Sequence, residues 1–487
     1  MSITAERMDR IANYLGGRLE PPASGDHLEN IEPATGAVYS LTPDSNETDL
    51  ERAVAAAREA FPAWSTAPVA QRAQVLLDIA ARIEAESEAL ARAESIDTGK
   101  PLTLAREVDI PRASVNFRFF AHGITQFASE FHSMGQQALN YTLRDPLGVV
   151  ACISPWNLPL YLLTWKIAPA LATGNCVIAK PSEITPMTAY LLARICMDAG
   201  LPPGVLNILH GRGPGIGRLL VGHPAIKAVS FTGGTKTGAE IARIAAPQFK
   251  KLSLELGGKN PTLVFADCDW GEMIETTVRA AFANQGQICL CGSRVFVEGS
   301  VYARFKEEFV SRAEALIVGD PLEAGTQQGA LVSEAHRNKV LSYIDLARAE
   351  GGNLLTGGYP VKLAGRCERG YFIKPAVVDG LPPDCRTNQE EIFGPVVSLI
   401  PFETEDEVVG YANSTPYGLA ASVWSRDVRR CHRVAQRLES GVIWVNTWLL
   451  RDLRTPFGGM KQSGVGREGG LEALRFFTDA KNVCIKL

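Results

Sequence analysis

Apolar residues recur three and four apart over residues 48–65, 70–97 and 101–133, with Val75, Leu76, Ile79 and Ile83 forming one clear stripe. This spacing predicts three long amphipathic scaffold helices, preceded by a polar N-terminal arm. From Gly148 the pattern changes to short, wholly apolar runs that alternate with helical stretches. Residues 149–153, 176–180, 206–210 and 228–231 read as buried strands, and residues 252–255 as a strand ending in glycines. Such alternation predicts right-handed βαβ crossovers and a mainly parallel sheet whose ligands bind at the carboxyl ends of the strands. A second alternating block starts near Asn260 and runs through residues 261–265, 295–297, 396–401, 421–424 and 442–446, which predicts a second α/β domain. Residues 139–143 and 481–487 alternate with period two outside both blocks, and the expectation is that each pairs edge to edge in an oligomer. No internal repeat, low-complexity tract or long linker interrupts the chain.

At 487 residues the chain is long enough for two or three domains of ordinary size. Hydrophobic residues at 46% and charged residues at 21%, with a net charge of -4, describe a globular protein without the basic surface that nucleic acid requires. Met1 to Gly16 carries Glu6, Arg7, Asp9 and Arg10 instead of an apolar leader, and no run of about 18 apolar residues follows, so the expectation is a cytoplasmic protein that neither enters nor crosses a membrane. Ten cysteines are scattered without a Cys-x-x-Cys pair or zinc-like histidine spacing, which predicts reduced thiols and no metal site. A Cys289–Cys291 disulfide is disfavoured, because one intervening residue gives poor geometry.

Cys289 stands apart from the other thiols. It lies in Asn284-Gln285-Gly286-Gln287-Ile288-Cys289, between a helical run over 270–283 and a strand at 294–297, on a turn where backbone N–H groups can face a thiolate. The competing reading is a buried, inert cysteine. Glu255 is flanked by Leu254 and Leu256, so desolvation raises its pKa and makes it a candidate base for water; the alternative is a carboxylate tied to the Gly257-Gly258 turn. Two glycine loops, residues 211–217 and 231–235, follow strands and open helices, where Gly213, Gly217 and the Phe231-Thr232-Gly233-Gly234 turn can present amides to a pyrophosphate or can be mere tight connections. Neither ends in Gly-Lys-Ser/Thr, which argues against phosphoryl transfer. Lys180 and Glu183 at one strand end suit ribose hydroxyls, and an acid there favours NAD over NADP by repelling a 2′-phosphate, unless the two form only a solvated pair.

Taken in order, Ser154-Pro155-Trp156-Asn157, Lys180-Pro181-Ser182-Glu183, Phe231-Thr232-Gly233, Leu254-Glu255-Leu256-Gly257-Gly258-Lys259, the Cys289 loop, Glu391-Ile392-Phe393-Gly394-Pro395 and Pro456-Phe457-Gly458-Gly459 resemble the motifs of the NAD(P)-dependent aldehyde dehydrogenases over nearly the whole chain. Within that superfamily the chain is most similar to the 2-aminomuconate and 2-hydroxymuconate semialdehyde dehydrogenases, through Asp109-Ile110-Pro111-Arg112, the stretch 157–166 and Trp448-Leu449-Leu450-Arg451-Asp452-Leu453. The resemblance implies a Rossmann-type cofactor domain over 1–123 and 147–256, a catalytic domain over 257–458, and a β arm for homodimer or homotetramer formation over 124–146 and 470–487. It implies Cys289 as nucleophile, Asn157 with the Cys289 N–H as oxyanion donors, and Glu255 as base. It further implies NAD held by Ile153, Ser154, Pro155, Trp156, Lys180, Ser182, Glu183, Phe231 to Gly234, Leu256, Glu391 and Phe393. Many relatives carry Ser at the position of Gly234, which leaves only backbone contact there. Lys166 and Glu468 match supporting positions.

By the same resemblance Arg112, Leu158, Tyr161, Leu162, Trp165, Arg451 and Phe457 line the substrate tunnel. Two arginines there imply an anionic aldehyde, a semialdehyde with a remote carboxylate. The competing reading pairs Arg112 with Asp109 and Arg451 with Asp452, and Arg454 ranks behind Arg451. The rival functions are a cysteine hydrolase, for which none of the seven histidines sits in a suitable motif, a non-catalytic binding protein, and acyl transfer to coenzyme A, which usually dispenses with a residue like Glu255.

Overall fold

The computed structural model describes residues 9–487; the part of the N-terminal arm before them lies outside the described residues. Five parallel strands form the centre of an eight-stranded sheet, in the order Lys251–Glu255, Ile226–Thr232, Val149–Ile153, Cys176–Lys180, Leu206–Ile208. Every residue of Val149–Ile153 and Cys176–Lys180 is buried, as strands covered by helices on both faces must be. The strand order reverses between Val149–Ile153 and Ile226–Thr232, and a crevice for a ligand opens beyond the carboxyl ends at such a point. A seven-stranded sheet forms the second α/β unit, with Gly292–Glu298 and Asn260–Val264 at its centre and one antiparallel edge, Asn353–Thr356. A third sheet pairs Thr478–Lys486 with Ala138–Pro146 and adds Phe131–Ser133.

Four expectations need correction. Residues 139–143 and 481–487, expected at a contact between copies, pair first with each other within the chain, antiparallel, from Thr478 against Pro146 to Lys486 against Ala138, which leaves Thr478–Lys486 and Phe131–Ser133 as the two edges of that sheet. The polar N-terminal arm contains strands; Asn13–Leu15 and Arg18–Glu20 extend the first sheet beyond Leu206–Ile208, a partner almost two hundred residues away that local pattern cannot reveal. The helix expected over 70–97 is two helices, Val69–Ala85 and Ser87–Thr98, broken at Glu86 (φ -101°, ψ 15°), where the apolar period continues through the corner. The helix expected over 101–133 becomes a short turn, a π-helical stretch Ala105–Asp109 and the helix Ile110–Thr125, after which the chain is extended. That last helix packs Phe117 and Phe120 against the Pro159–Ala172 helix, with the Phe120 and Trp165 rings 5.3 Å apart. No helix among the described residues is long and apolar enough to cross a membrane.

Candidate active site

The helix Trp270–Phe282 ends in a tight turn in which Asn284 (φ 51°), Gln285 (φ 55°) and Gly286 (φ 69°) all take the left-handed region. Three such residues in a row persist only when their surroundings fix them. The Gln285 amide donates to the Ala330 carbonyl (2.8 Å), the Asn284 amide to the Asn157 carbonyl (3.1 Å), and Gly286 lies so close to the Gly394 carbonyl that no Cβ fits. Beyond the turn, Asn260 Nδ2 donates to the Cys289 carbonyl (2.7 Å) and fastens the loop to the second sheet. Cys289 is left half-buried between two cavities that it lines from opposite sides. Burial, then the nearby Glu255 and Glu391, push its thiol well above the ordinary range, with Arg451 opposing. That environment favours the protonated thiol over the thiolate.

One cavity, of about 690 Å³, is the tunnel, and all seven residues expected there line it: Arg112, Leu158, Tyr161, Leu162, Trp165, Arg451 and Phe457. Asp109 is engaged by Lys100, not Arg112, and Asp452 by Arg454, not Arg451. The Arg112 guanidinium lies 5.2 Å from the Tyr161 ring, and that of Arg451 lies 5.4 Å from Trp165 and 3.9 Å from Phe457. Arg112 Nε and Nη2, Arg451 Nη2 and Trp165 Nε1 are buried without a hydrogen-bond partner. Burial lowers the Arg112 pKa, the adjacent Arg451 lowers it further, and Tyr161 opposes. Desolvated donors of this kind cost free energy until an acceptor meets them, and the acceptor that matches two guanidinium groups is an anion. Arg454 projects into solvent beside Asp452. A further arginine on the tunnel wall, Arg279, escaped the sequence reading because it ends an ordinary amphipathic helix.

Glu255 closes its strand and faces the same tunnel, with Oε1 lacking any donor. Burial, then the neighbouring Glu468, raise its pKa well above the carboxylate range; Lys166, Arg451 and Arg467 pull the other way. It is not tied to the Gly257-Gly258 turn, whose Gly258 amide donates to Glu391 instead (2.9 Å). Behind Glu255, Lys166 Nζ bonds Glu468 (2.6 Å) and Ser230 (3.2 Å).

The second cavity, about 250 Å³, lies at the reversal of strand order and is lined by Pro155, Trp156, Asn157, Thr232, Gly233, Gly234, Leu256, Cys289, Glu391 and Phe393. His336 and Lys339 also line it; nothing in their sequence neighbourhood marked them. His336 Nε2 meets the Phe393 carbonyl (2.7 Å) and burial lowers its pKa to about 4, so it is a neutral wall residue committed elsewhere. Lys180, Glu183, Gly213 and Gly217 form a separate group at the next strand end. Lys180 Nζ lies 3.2 Å from Glu183, which also accepts from the Gly213 amide (3.2 Å), and Gly217 sits against the Lys180 stem. Burial alone raises Glu183, but Lys180 and the amides outweigh it and keep the carboxylate ionised. The Gly213 amide, expected at a pyrophosphate, here donates to a carboxylate of its own chain. Ile153, Ser154, Ser182 and Phe231 are buried at these strand ends, outside the second cavity. The hydroxyls of Ser154 and Thr232 are buried without partners, as expected where a polar ligand completes a site.

Asn157 sets the remaining geometry. Its side-chain amide spends one N–H on the Gln287 carbonyl (2.9 Å), which leaves the other for a group bound beside Cys289.

Residues 21–483 match the aldehyde dehydrogenase family. Among similar proteins are the 2-aminomuconic semialdehyde dehydrogenase of Bos taurus, 51% identical with 98% of each chain covered, and the 2-hydroxymuconic semialdehyde dehydrogenase of Pseudomonas sp. (strain CF600), 45% identical with 99% of this chain and 100% of that one covered. A solved NAD+ complex of an aldehyde dehydrogenase from Bacillus cereus superposes with a TM-score of 0.95 at 38% identity, covering 98% and 97% of the two chains.

Proposed function

The chain belongs to the aldehyde dehydrogenase family, and from that premise we propose that it oxidises a semialdehyde carrying a remote carboxylate, a 2-amino- or 2-hydroxymuconate 6-semialdehyde, to the dicarboxylic acid with NAD. One observation carries the substrate: the unpartnered donors of Arg112, Arg451 and Trp165 converge on the tunnel while Asp109 and Asp452 are engaged elsewhere. These donors fix the carboxylate, and the aldehyde carbon then reaches Cys289 at the inner end. Water in the tunnel takes the thiol proton as Cys289 Sγ adds to the carbonyl carbon, forming a thiohemiacetal whose oxygen is held by the free N–H of Asn157 and the Cys289 backbone amide. NAD, when bound, supplies the hydride acceptor. Thr232, Glu391 and Phe393 line the space for its nicotinamide end, and Trp156, Lys180, Ser182 and Glu183 attend the adenosine side, where the ionised Glu183 favours a 2′-hydroxyl. Glu255 takes the proton of the water that opens the Cys289 thioester, and the acid is released. Glu255, once deprotonated, is a base in the tunnel that favours hydrolysis over acyl transfer to coenzyme A.

The enzyme acts in the cytoplasm, the compartment that keeps its ten free thiols reduced, and as a homodimer or homotetramer built on the arm sheet. The substrate is tested by steady-state kinetics of Arg112→Ala and Arg451→Ala on a muconate semialdehyde and on a neutral aldehyde of similar length. Each variant should lose on the order of 10- to 100-fold in kcat/KM on the charged substrate and far less on the neutral one. Equal losses on both would sink the assignment.

A further inference from the structure

Beside the tunnel, whose wall includes Asp109, lies a charged cluster that the chemistry above does not use. Lys100 is completely buried at the corner that follows the Ser87–Thr98 helix, where Gly99 turns with φ 76°. Its ammonium bonds the carboxylate of Asp109, stands 3.8 Å from Glu94 and donates to the backbone carbonyl of Asn157 at 2.9 Å. Asp109 closes the π-helical stretch that runs directly into the Ile110–Thr125 helix, the element that carries Arg112. The Asn157 carbonyl accepts a second bond from Asn284, in the strained turn before Cys289.

A fully buried lysine is a costly arrangement for mere packing, since the hydration its ammonium gives up must be replaced by its partners. Its three contacts join the strand-to-helix loop holding Asn157, the foot of the arginine-bearing helix and, through Glu94, the Ser87–Thr98 helix, beside whose end the Gly99 carbonyl accepts from Gln285 Nε2 at 3.4 Å. We propose that Lys100 is a positioning residue: its ammonium locks the main chain of Asn157 to Asp109, so that the oxyanion donor at one end of the substrate and the carboxylate clamp at the other are held in register by a single cation. The inference rests on the oxyanion role proposed above for Asn157. Rotation of the Asn157 peptide away from Lys100 would swing its side-chain amide off the thiohemiacetal oxygen, and donors act only when placed before charge develops.

The test compares Asp109→Asn, the charge-balanced pair Lys100→Met with Asp109→Asn, Asn157→Ala, Asp109→Asn with Asn157→Ala, and the pair combined with Asn157→Ala, each on the full-length enzyme with saturating NAD. Asn157→Ala should lower kcat on the order of 10²- to 10³-fold. Relative to Asp109→Asn, removal of the cation should lower kcat about tenfold while KM moves less than about threefold, and on an Asn157→Ala background it should cost no more than about twofold. A full additional loss on that background, no loss at all, or a parallel rise of KM overturns the inference while leaving the oxyanion assignment standing. An Asn157→Ala enzyme with unimpaired kcat overturns the assignment itself. Should the methionine variant not fold, Lys100→Gln with Asp109→Asn carries the same comparison, because its amide stops short of the Asn157 carbonyl.

Discussion

Glu255 ends its strand with one carboxylate oxygen facing the tunnel and no donor beside it, while burial, then Glu468, raise its pKa. Such a group is a poor base at low pH and a good one once deprotonated. Replacing it with alanine should leave a stoichiometric burst of NADH, because thiohemiacetal formation and oxidation precede hydrolysis, while steady-state turnover falls by about 10²- to 10⁴-fold. Loss of the burst in rapid-mixing absorbance would mean that Glu255 also takes the Cys289 proton. The pH dependence follows from the same burial: both Glu255 and Cys289 are raised, and both must lose protons to act, so activity climbs as pH rises through those elevated values. A kcat/KM profile already flat at about pH 6 would contradict this. Individual residues were legible in sequence where a motif isolates them, as with Cys289, Glu255 and Asn157. Lys100, Arg279, His336 and Lys339 were not, since each occupies an unremarkable local pattern and gains its role from what the fold brings opposite it.

At the scale of elements, the turn at 284–286 shows what the active loop requires. Alanine at Gly286 would need φ near 69° and would press its Cβ into the Gly394 carbonyl, so Gly286→Ala should cost about 2–4 kcal/mol in urea unfolding and displace Cys289 enough to abolish turnover. Gly234 makes the contrast: its φ is -71°, nothing lies within 4 Å of a Cβ, and it caps the Thr235–Ala245 helix. Gly234→Ser should therefore be neutral or stabilising by a few tenths of a kcal/mol; a loss above about 1 kcal/mol would show that the turn needs glycine after all. Buried parallel strands were readable because both faces are apolar, which leaves runs such as residues 176–180 nearly free of polar residues. Edge strands such as Asn13–Leu15, and the corner at Glu86, were hidden because partners distant in sequence, not local composition, define them.

For the whole molecule, the arm sheet leaves Phe131, Leu143 and Ile485 substantially exposed on a surface that belongs to neither α/β unit. Phe131 and Ile485 sit on the two edge strands and Leu143 on the strand between them, and exposed apolar side chains of that size on so small a sheet suit a second copy of the chain. Sedimentation of the native enzyme should report a dimer or tetramer, and Phe131→Asp with Ile485→Asp should shift it towards monomer with an unaltered circular dichroism spectrum. A native enzyme that sediments as a monomer removes the arm's proposed role. Two α/β units were visible in sequence as two blocks of alternation, but the closure of the arm within one chain was not, because a period-two pattern states which face is buried and never names the partner strand. Cys289 and Thr232 are the meeting point of the two cavities. A sulfur reached through two doors can discharge its acid by one while the other stays shut around the dinucleotide. Such a layout gives aldehyde and acid a route that does not cross that of the redox carrier.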